Sequence, residues 1–184
     1  MGNVKEILIS AAALTIIAGG VTAALAGTNA LTEGTIAAMN EKAETAARQQ
    51  VIDADAFERK TVDVDGKETV YYEAQKGGDT VGYVFTATAT GKSAGLVVMT
   101  GIGIDGRITG VTVTDDNETA GYVDKVKKGG LFDAFSGKDA GGALALGTDV
   151  DGVSQATKTS KGVTDGVNQA IATFTEIKGA GTNG

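Results

Sequence analysis

Thr157 is the residue whose position points most directly to chemistry. It lies in the stretch Asp151-Gly-Val-Ser154-Gln155-Ala156-Thr157-Lys158-Thr-Ser160, a polar turn that feeds the last strongly periodic segment of the chain. Val163, Val167, Ala170, Ile171 and Phe174 recur there at helical steps, the pattern of a helix with one apolar face. Thr159 or Ser160 is expected to cap that helix by accepting a hydrogen bond from a first-turn N–H. Lys178-Gly179 supplies a cation and then a glycine stop at the far end. Thr157 then stands at a helix N-terminus, where unpaired N–H groups and the positive end of the dipole favour an anion. Lys158 and Lys161 add positive charge, so a phosphate held beside the Thr157 hydroxyl would be well placed. The plainer alternative is a capped helix start and nothing more.

Composition narrows what else this chain can do. It has no His and no Cys, so neither a Ser-His nor a Cys-His pair can be assembled, and zinc, haem and iron–sulfur ligation of the usual kinds is not expected. Redox chemistry, if present, must be carried by a bound organic cofactor. The net charge of −7 and the lack of a basic run argue against nucleic acid. A length of 184 residues fits one domain plus a small accessory segment. The 28 glycines are accounted for at this level only as turn formers.

The elements that must position Thr157 follow in order. No charged residue occurs from Ile7 to Thr32, a run long enough for a membrane span. Gly19, Gly20 and Gly27 suit close packing against partner helices. A cleaved signal peptide is the competing reading, with Lys5 as a minimal basic start and Ala24-Leu25-Ala26 as a small-x-small site. Lys5 before the run and Glu33 after it point the bulk of the chain away from the cytoplasm. Glu33 to about Phe57 reads as a connecting helix, with Ile36, Met39, Ala43, Ala47, Val51 and Ile52 in one stripe.

The period then changes to two. Thr61 to Tyr72 alternates about an Asp65-Gly66 turn, Val81 to Ala89 and Leu96 to Ile104 read as strands, and Asp105-Gly106 turns the chain into Ile108 to Thr114. These predict an antiparallel sheet of about five strands covered by helices, an α+β domain. Tyr71, Tyr72, Tyr83 and Phe85 are expected to pack in the core and on the sheet rather than to form a ring-stacking site. A short helix is expected over Thr119 to Lys127, with Asn117-Glu118-Thr119 as its cap. Lys125, Lys127 and Lys128 form a local basic cluster, either a solvated surface or a docking point for an acidic partner or phospholipid. Leu131-Phe-Asp-Ala-Phe135 tucks two aromatics inward, and residues 138–147 form a glycine-rich connection.

Asp151, Ser154, Ala156 and Thr157 together resemble the flavinylation motif of RnfG, the G subunit of the Rnf ion-translocating oxidoreductase, from an FMN-binding domain family shared with NqrC of the sodium-pumping quinone reductase. Gln155 stands where that family usually has glycine. The likeness extends through Gly91-Lys-Ser-Ala-Gly, Ile108-Thr-Gly-Val and Asn117-Glu118-Thr119-Ala120-Gly121-Tyr122, the last resembling an Asn-Glu-Thr-Pro-Gly loop with Ala120 for proline. The resemblance implies FMN joined covalently to Thr157 by a phosphoester that a separate flavin transferase makes. It further implies flavin neighbours at Glu118, Thr119, Gly121 and Tyr122, with Lys158 beside the phosphate, and no metal. The expected organisation is a transmembrane anchor over residues 1–32, a connecting helix over 33–57, an extracytoplasmic FMN-binding domain over 58–178 and a disordered tail over 179–184.

The function implied is electron transfer rather than catalysis by this chain alone. Its partners would be the other membrane subunits of an Rnf complex, which couples ferredoxin oxidation and NAD reduction to sodium ion or proton transport. Two alternatives remain at this stage: an NqrC-like or stand-alone flavinylated carrier, and a cofactor-free anchored assembly protein. A yellow chain that loses its flavin on Thr157→Ala separates the carriers from the assembly protein.

Overall fold

The alternating segments fold as a five-stranded meander. In the computed structural model, which describes residues 14–15, 18–22, 39 and 41–181, the strands are β1 (Ala56–Val64), β2 (Lys67–Lys76), β3 (Asp79–Thr90), β4 (Ala94–Gly103) and β5 (Ile108–Asp115). They lie side by side in sequence order, each antiparallel to the next. Local turns are enough to build this sheet. Asp65 and Gly66 have φ of 53° and 77°, both positive as a type I′ hairpin requires, and the Asp63 carboxylate accepts the Gly66 N–H at 2.8 Å. Gly77-Gly78 joins β2 to β3 with positive φ at both residues.

Two compact units divide the chain, residues Met1–Ala43 and Glu44–Gly184. The described residues of the first, 14–15, 18–22, 39 and 41–43, are helical. Most of the uncharged run expected to span a membrane lies outside the described residues. Among those described, no helix is long and apolar enough to cross a membrane.

The second unit covers both faces of the sheet. On one face lies the long helix that was expected after Thr157. Val163, Val167, Ala170, Ile171 and Phe174 are all at most 3% exposed and meet Phe85, Leu96, Val98 and Ile102, each of the Val, Leu, Ile and Phe side chains contributing on the order of 1.5–3 kcal/mol on burial. Tyr71, Tyr83 and Phe85 cluster with Phe174 at centroid distances of 6.0 to 6.5 Å, so these aromatics are core. Two short helices, Tyr122–Lys128 and Leu131–Phe135, add Val126, Leu131, Phe132 and Phe135 to the same core.

The opposite face receives the end of an earlier helix. Residues 41–51 are the described part of this helix, α1; the short helices are then α2 and α3, and the long one α4 (Thr157–Gly181). Val51, Ile52 and Ala54 pack with Ala74, Val84 and Met99. The approach is close because the sheet presents backbone there: a Cβ on Gly101 would lie 2.4 Å from the Val51 carbonyl oxygen, and one on Gly82 would lie 2.6 Å from Ile52 Cδ1. The Thr109 hydroxyl donates to that same Val51 carbonyl at 2.5 Å. Arg48, 1% exposed, donates to Glu44 and lays its guanidinium 3.7 Å over the Tyr72 ring. Glycine here therefore makes a platform as well as turns.

Several helix boundaries differ from the sequence expectation. The helix expected to reach about Phe57 ends at 51 and β1 begins at Ala56, because Asp53 and Asp55 are poor helix residues and the Asp55 N–H donates to Gln75 to open the β1–β2 ladder. The helix expected from Thr119 begins at Tyr122, since Gly121 holds φ of 84° and is its N-cap with no side-chain cap. The last helix passes the expected Lys178-Gly179 stop and continues to Gly181; residues 182–184 lie outside the described residues.

Candidate functional site

Thr157 is the first residue of α4, a helix of 25 residues. The first intrahelical bond runs from the Ser160 N–H to the Ala156 carbonyl at 2.8 Å, so the amides of the residues just before Ser160 have no acceptor within the helix. Thr157 and Lys158 are exposed at this end, whereas Ala156, Thr159 and Ser160 are buried. An anion beside the Thr157 hydroxyl therefore meets outward amides and the positive end of a long helix dipole.

The two hydroxyls expected to cap this helix do something else. Ser160 Oγ donates back to the Ala156 carbonyl at 3.0 Å and accepts the Val153 N–H at 3.1 Å. It thereby ties the helix to the turn that precedes it. Thr159 Oγ1 donates to Glu118 Oε2 at 3.1 Å. Both residues lie inside the helix because the turn at Val153 to Ala156 delivers the chain to helical geometry two to three residues earlier than expected.

That turn explains the glycine position. The Ala156 N–H donates to the Val153 carbonyl at 3.0 Å, and Gln155, third of the four residues, has φ of 63°. A positive φ at this place is what glycine supplies without strain. Gln155 adopts it nonetheless, so the turn geometry survives the substitution.

A cleft of about 320 Å³ opens beside the helix start, lined by Lys92, Tyr122, Gln155, Ala156, Thr157, Lys158 and Thr159. The Lys92 ammonium lies 4.4 Å from the Tyr122 ring centroid and that of Lys125 lies 5.2 Å from it, which gives the cleft one aromatic wall bearing two cations. Of the residues singled out from sequence, the fold brings Tyr122, Ala156, Thr157 and Lys158 to this cleft. Glu118 sits behind it, joined to Thr159. Asp151, Ser154, Thr119 and Gly121 are exposed and do not line it. Thr119 contributes its carbonyl, which accepts the Tyr122 N–H at 3.1 Å, and Gly121 contributes the positive φ that turns the chain into α2. Lys161 is turned to Asp165 at 2.6 Å and is not among the cleft residues.

Sequence reasoning missed two contributors. Lys92 lay inside a noticed segment, Gly91-Lys-Ser, but a lone lysine beside a glycine carries no signal of its own. Asn168, on α4, donates to the Leu144 carbonyl at 2.9 Å and accepts the Leu144 N–H at 2.8 Å. It pins the glycine-rich connection that returns the chain to Asp151.

The arrangement fits a flavin mononucleotide tail and ring. A hydroxyl stands at the helix start, with lysines and outward amides for a phosphate and an aromatic-walled cleft beside them. Comparison with known proteins agrees in kind. Residues 91–172 match the FMN-binding domain family, a span that contains every cleft residue. The chain is 36% identical over 187 aligned residues, 89% of each chain, to the G subunit of the Na(+)-translocating ferredoxin:NAD(+) oxidoreductase complex of Acetobacterium woodii. It is 32% identical over 138 aligned residues, 72% of this chain and 71% of the relative, to the G subunit of the proton-translocating ferredoxin:NAD(+) oxidoreductase complex of Clostridium ljungdahlii.

Proposed function

This chain belongs to the RnfG family with its FMN-binding domain, and from that premise we propose that it is an electron-transfer subunit carrying FMN as a phosphoester on Thr157. The observation that carries the proposal is the exposed Thr157 at the first position of α4, opening on the cleft bounded by Lys92, Tyr122 and Lys158. When bound, the flavin supplies one- and two-electron chemistry that no side chain of this protein provides.

What the chain supplies is attachment and environment. Joining a hydroxyl to a phosphate in water needs an activated donor, so a flavin transferase would use a phosphoanhydride of FMN. The Thr157 oxygen bonds phosphorus, its proton goes to solvent or the transferase, and the anhydride P–O bond breaks as the nucleotide leaves. Lys158, Lys92 and the first-turn amides offset the charge of the phosphodiester. Attachment through the phosphate would leave the ring free to exchange electrons, and Tyr122 would offer it an aromatic wall of the cleft.

The finer parts of the proposal concern placement. Residues 1–32 serve as a single transmembrane anchor with the FMN domain on the extracytoplasmic side, in a complex with other membrane subunits. The relatives' names specify sodium in one case and protons in the other. No charged residue occurs from Ile7 to Thr32, which favours an ion path in partner subunits.

The test is an intact-mass spectrum of the chain from a host with an active transferase, with tandem fragmentation across Asp151 to Lys161. The expected result is a gain of FMN less one water on Thr157, absent from Thr157→Ala. An unmodified wild-type mass overturns the covalent reading.

A further inference from the structure

We infer that Glu118 is a positioning residue for the Thr157 hydroxyl: its carboxylate clamps the loop at residues 91–93 onto the first turn of α4 and so sets Lys92 across the cleft from the acceptor. The inference rests on Thr157 as the attachment point and adds how that point is built.

The resemblance implies that Glu118 neighbours the flavin, but in the fold both of its oxygens are engaged by the chain itself. Oε1 accepts the Ser93 N–H at 3.1 Å and Oε2 accepts the Thr159 hydroxyl at 3.1 Å. One half-buried carboxylate thus joins three segments: the β3–β4 loop, the loop before α2, and the start of α4. Its own N–H donates to Asp116 at 3.1 Å, which holds the carboxylate's loop in turn.

Packing at this junction leaves little slack. The Gly91 N–H donates to the Ser93 carbonyl at 3.0 Å, closing the loop on itself. A Cβ on Gly91 would lie 2.3 Å from Glu118 Oε1, and one on Gly162 of α4 would lie 2.8 Å from the Gly91 backbone. Loop and helix therefore touch backbone to backbone, with the carboxylate beside the contact. Lys92 is the residue between the two that are held, and it lines the cleft with Thr157 while standing over Tyr122. Without the carboxylate the Thr159 hydroxyl, fully buried, loses its partner, and Lys92 loses the fixed loop that presents it.

The experiment uses the flavin-free full chain as wild type, Glu118→Ala, Glu118→Gln, Thr159→Val and the double variant Glu118→Ala with Thr159→Val, each given purified flavin transferase and FAD. Two quantities are read: the rate of mass gain at Thr157, and amide hydrogen exchange at Ser93 before any flavin is added. Glu118→Ala is expected to slow incorporation about tenfold or more and to speed Ser93 exchange by a similar factor, since displacing a reacting group by about an ångström is enough for such losses. Glu118→Gln keeps the shape and one acceptor oxygen, and falls between; it carries the test if the alanine variant does not fold. Thr159→Val slows incorporation less, and the double variant is no slower than Glu118→Ala, because both act through one contact. Incorporation at the wild-type rate in the glutamine and alanine variants overturns the inference. So does slowed incorporation with unchanged Ser93 exchange, which would make Glu118 a direct contact of flavin or transferase. A wild-type chain that gains no mass overturns the reading of Thr157 instead, a result distinct from either.

Discussion

Gln155 shows how one residue can carry strain inside a working turn. A non-glycine side chain at φ of 63° costs about 1–2 kcal/mol against glycine, while glycine gives back about 0.4–1 kcal/mol through the entropy of the unfolded chain. Gln155→Gly is therefore expected to stabilise the protein by roughly 0.5–1 kcal/mol, read as a higher midpoint in urea denaturation. A β-branched Val at the same position moves the midpoint the other way. The same reasoning applied to Thr157 is chemical: its backbone role as a first helical residue tolerates many side chains, so Thr157→Ala should melt close to wild type while losing all covalent flavin.

At the scale of elements, β1, β2 and β3 share an ion pair that gives the domain an acid limb. Lys60 of β1 donates to Glu73 of β2, and Thr80 of β3 donates to the same carboxylate. The hydrogen bond from Lys60 first, and that from Thr80 second, hold the Glu73 carboxyl below its ordinary value of 4.5. A carboxyl whose value is lowered by folding stabilises the fold above the unfolded value, and that contribution is lost as pH falls through the folded one. Lys60, whose ammonium is raised by its bond to Glu73, contributes below 10.5 and loses its contribution as pH rises through its folded value. Glu73→Gln is thus expected to lower stability at neutral pH and to flatten the decline below about pH 4.5, measured as melting temperature against pH. The β-meander itself needs no such pair, because each strand is joined to the next by a short turn, of which those at Asp65-Gly66 and Asp105-Gly106 were visible in the sequence.

For the whole molecule, the division at Ala43 and Glu44 predicts what can be removed. A chain beginning at Glu44 keeps Arg48, Val51 and Ile52 on the glycine platform of the sheet and is expected to fold cooperatively and to accept FMN. One beginning at Ala56 strips that face of two large apolar side chains, about 3–6 kcal/mol at the usual value of 1.5–3 kcal/mol each, a large part of the stability of an ordinary domain. Calorimetry of the two truncated chains checks this. The strands, the apolar stripe of α4 and the Thr157 motif were legible because each is a local pattern: alternation, helical spacing, or a turn signature within ten residues. Gly82, Gly101 and Gly110 were illegible as a platform, since what makes them one is the Val51 carbonyl and the Ile52 side chain arriving from an earlier helix. The site divides the same way. Sequence alone placed Thr157 near a helix start with lysine beside it, because helical spacing and the dipole are properties of a continuous segment, but it set that start at Thr159 or Ser160, two to three residues late. Only the tertiary structure decided that Lys92 and Tyr122 wall the cleft, and that Glu118 serves Thr159 and Ser93 rather than a helix cap. Those partners lie 41 and 25 residues away in the chain, and folding of the sheet against α4 is what brings them within hydrogen-bond reach.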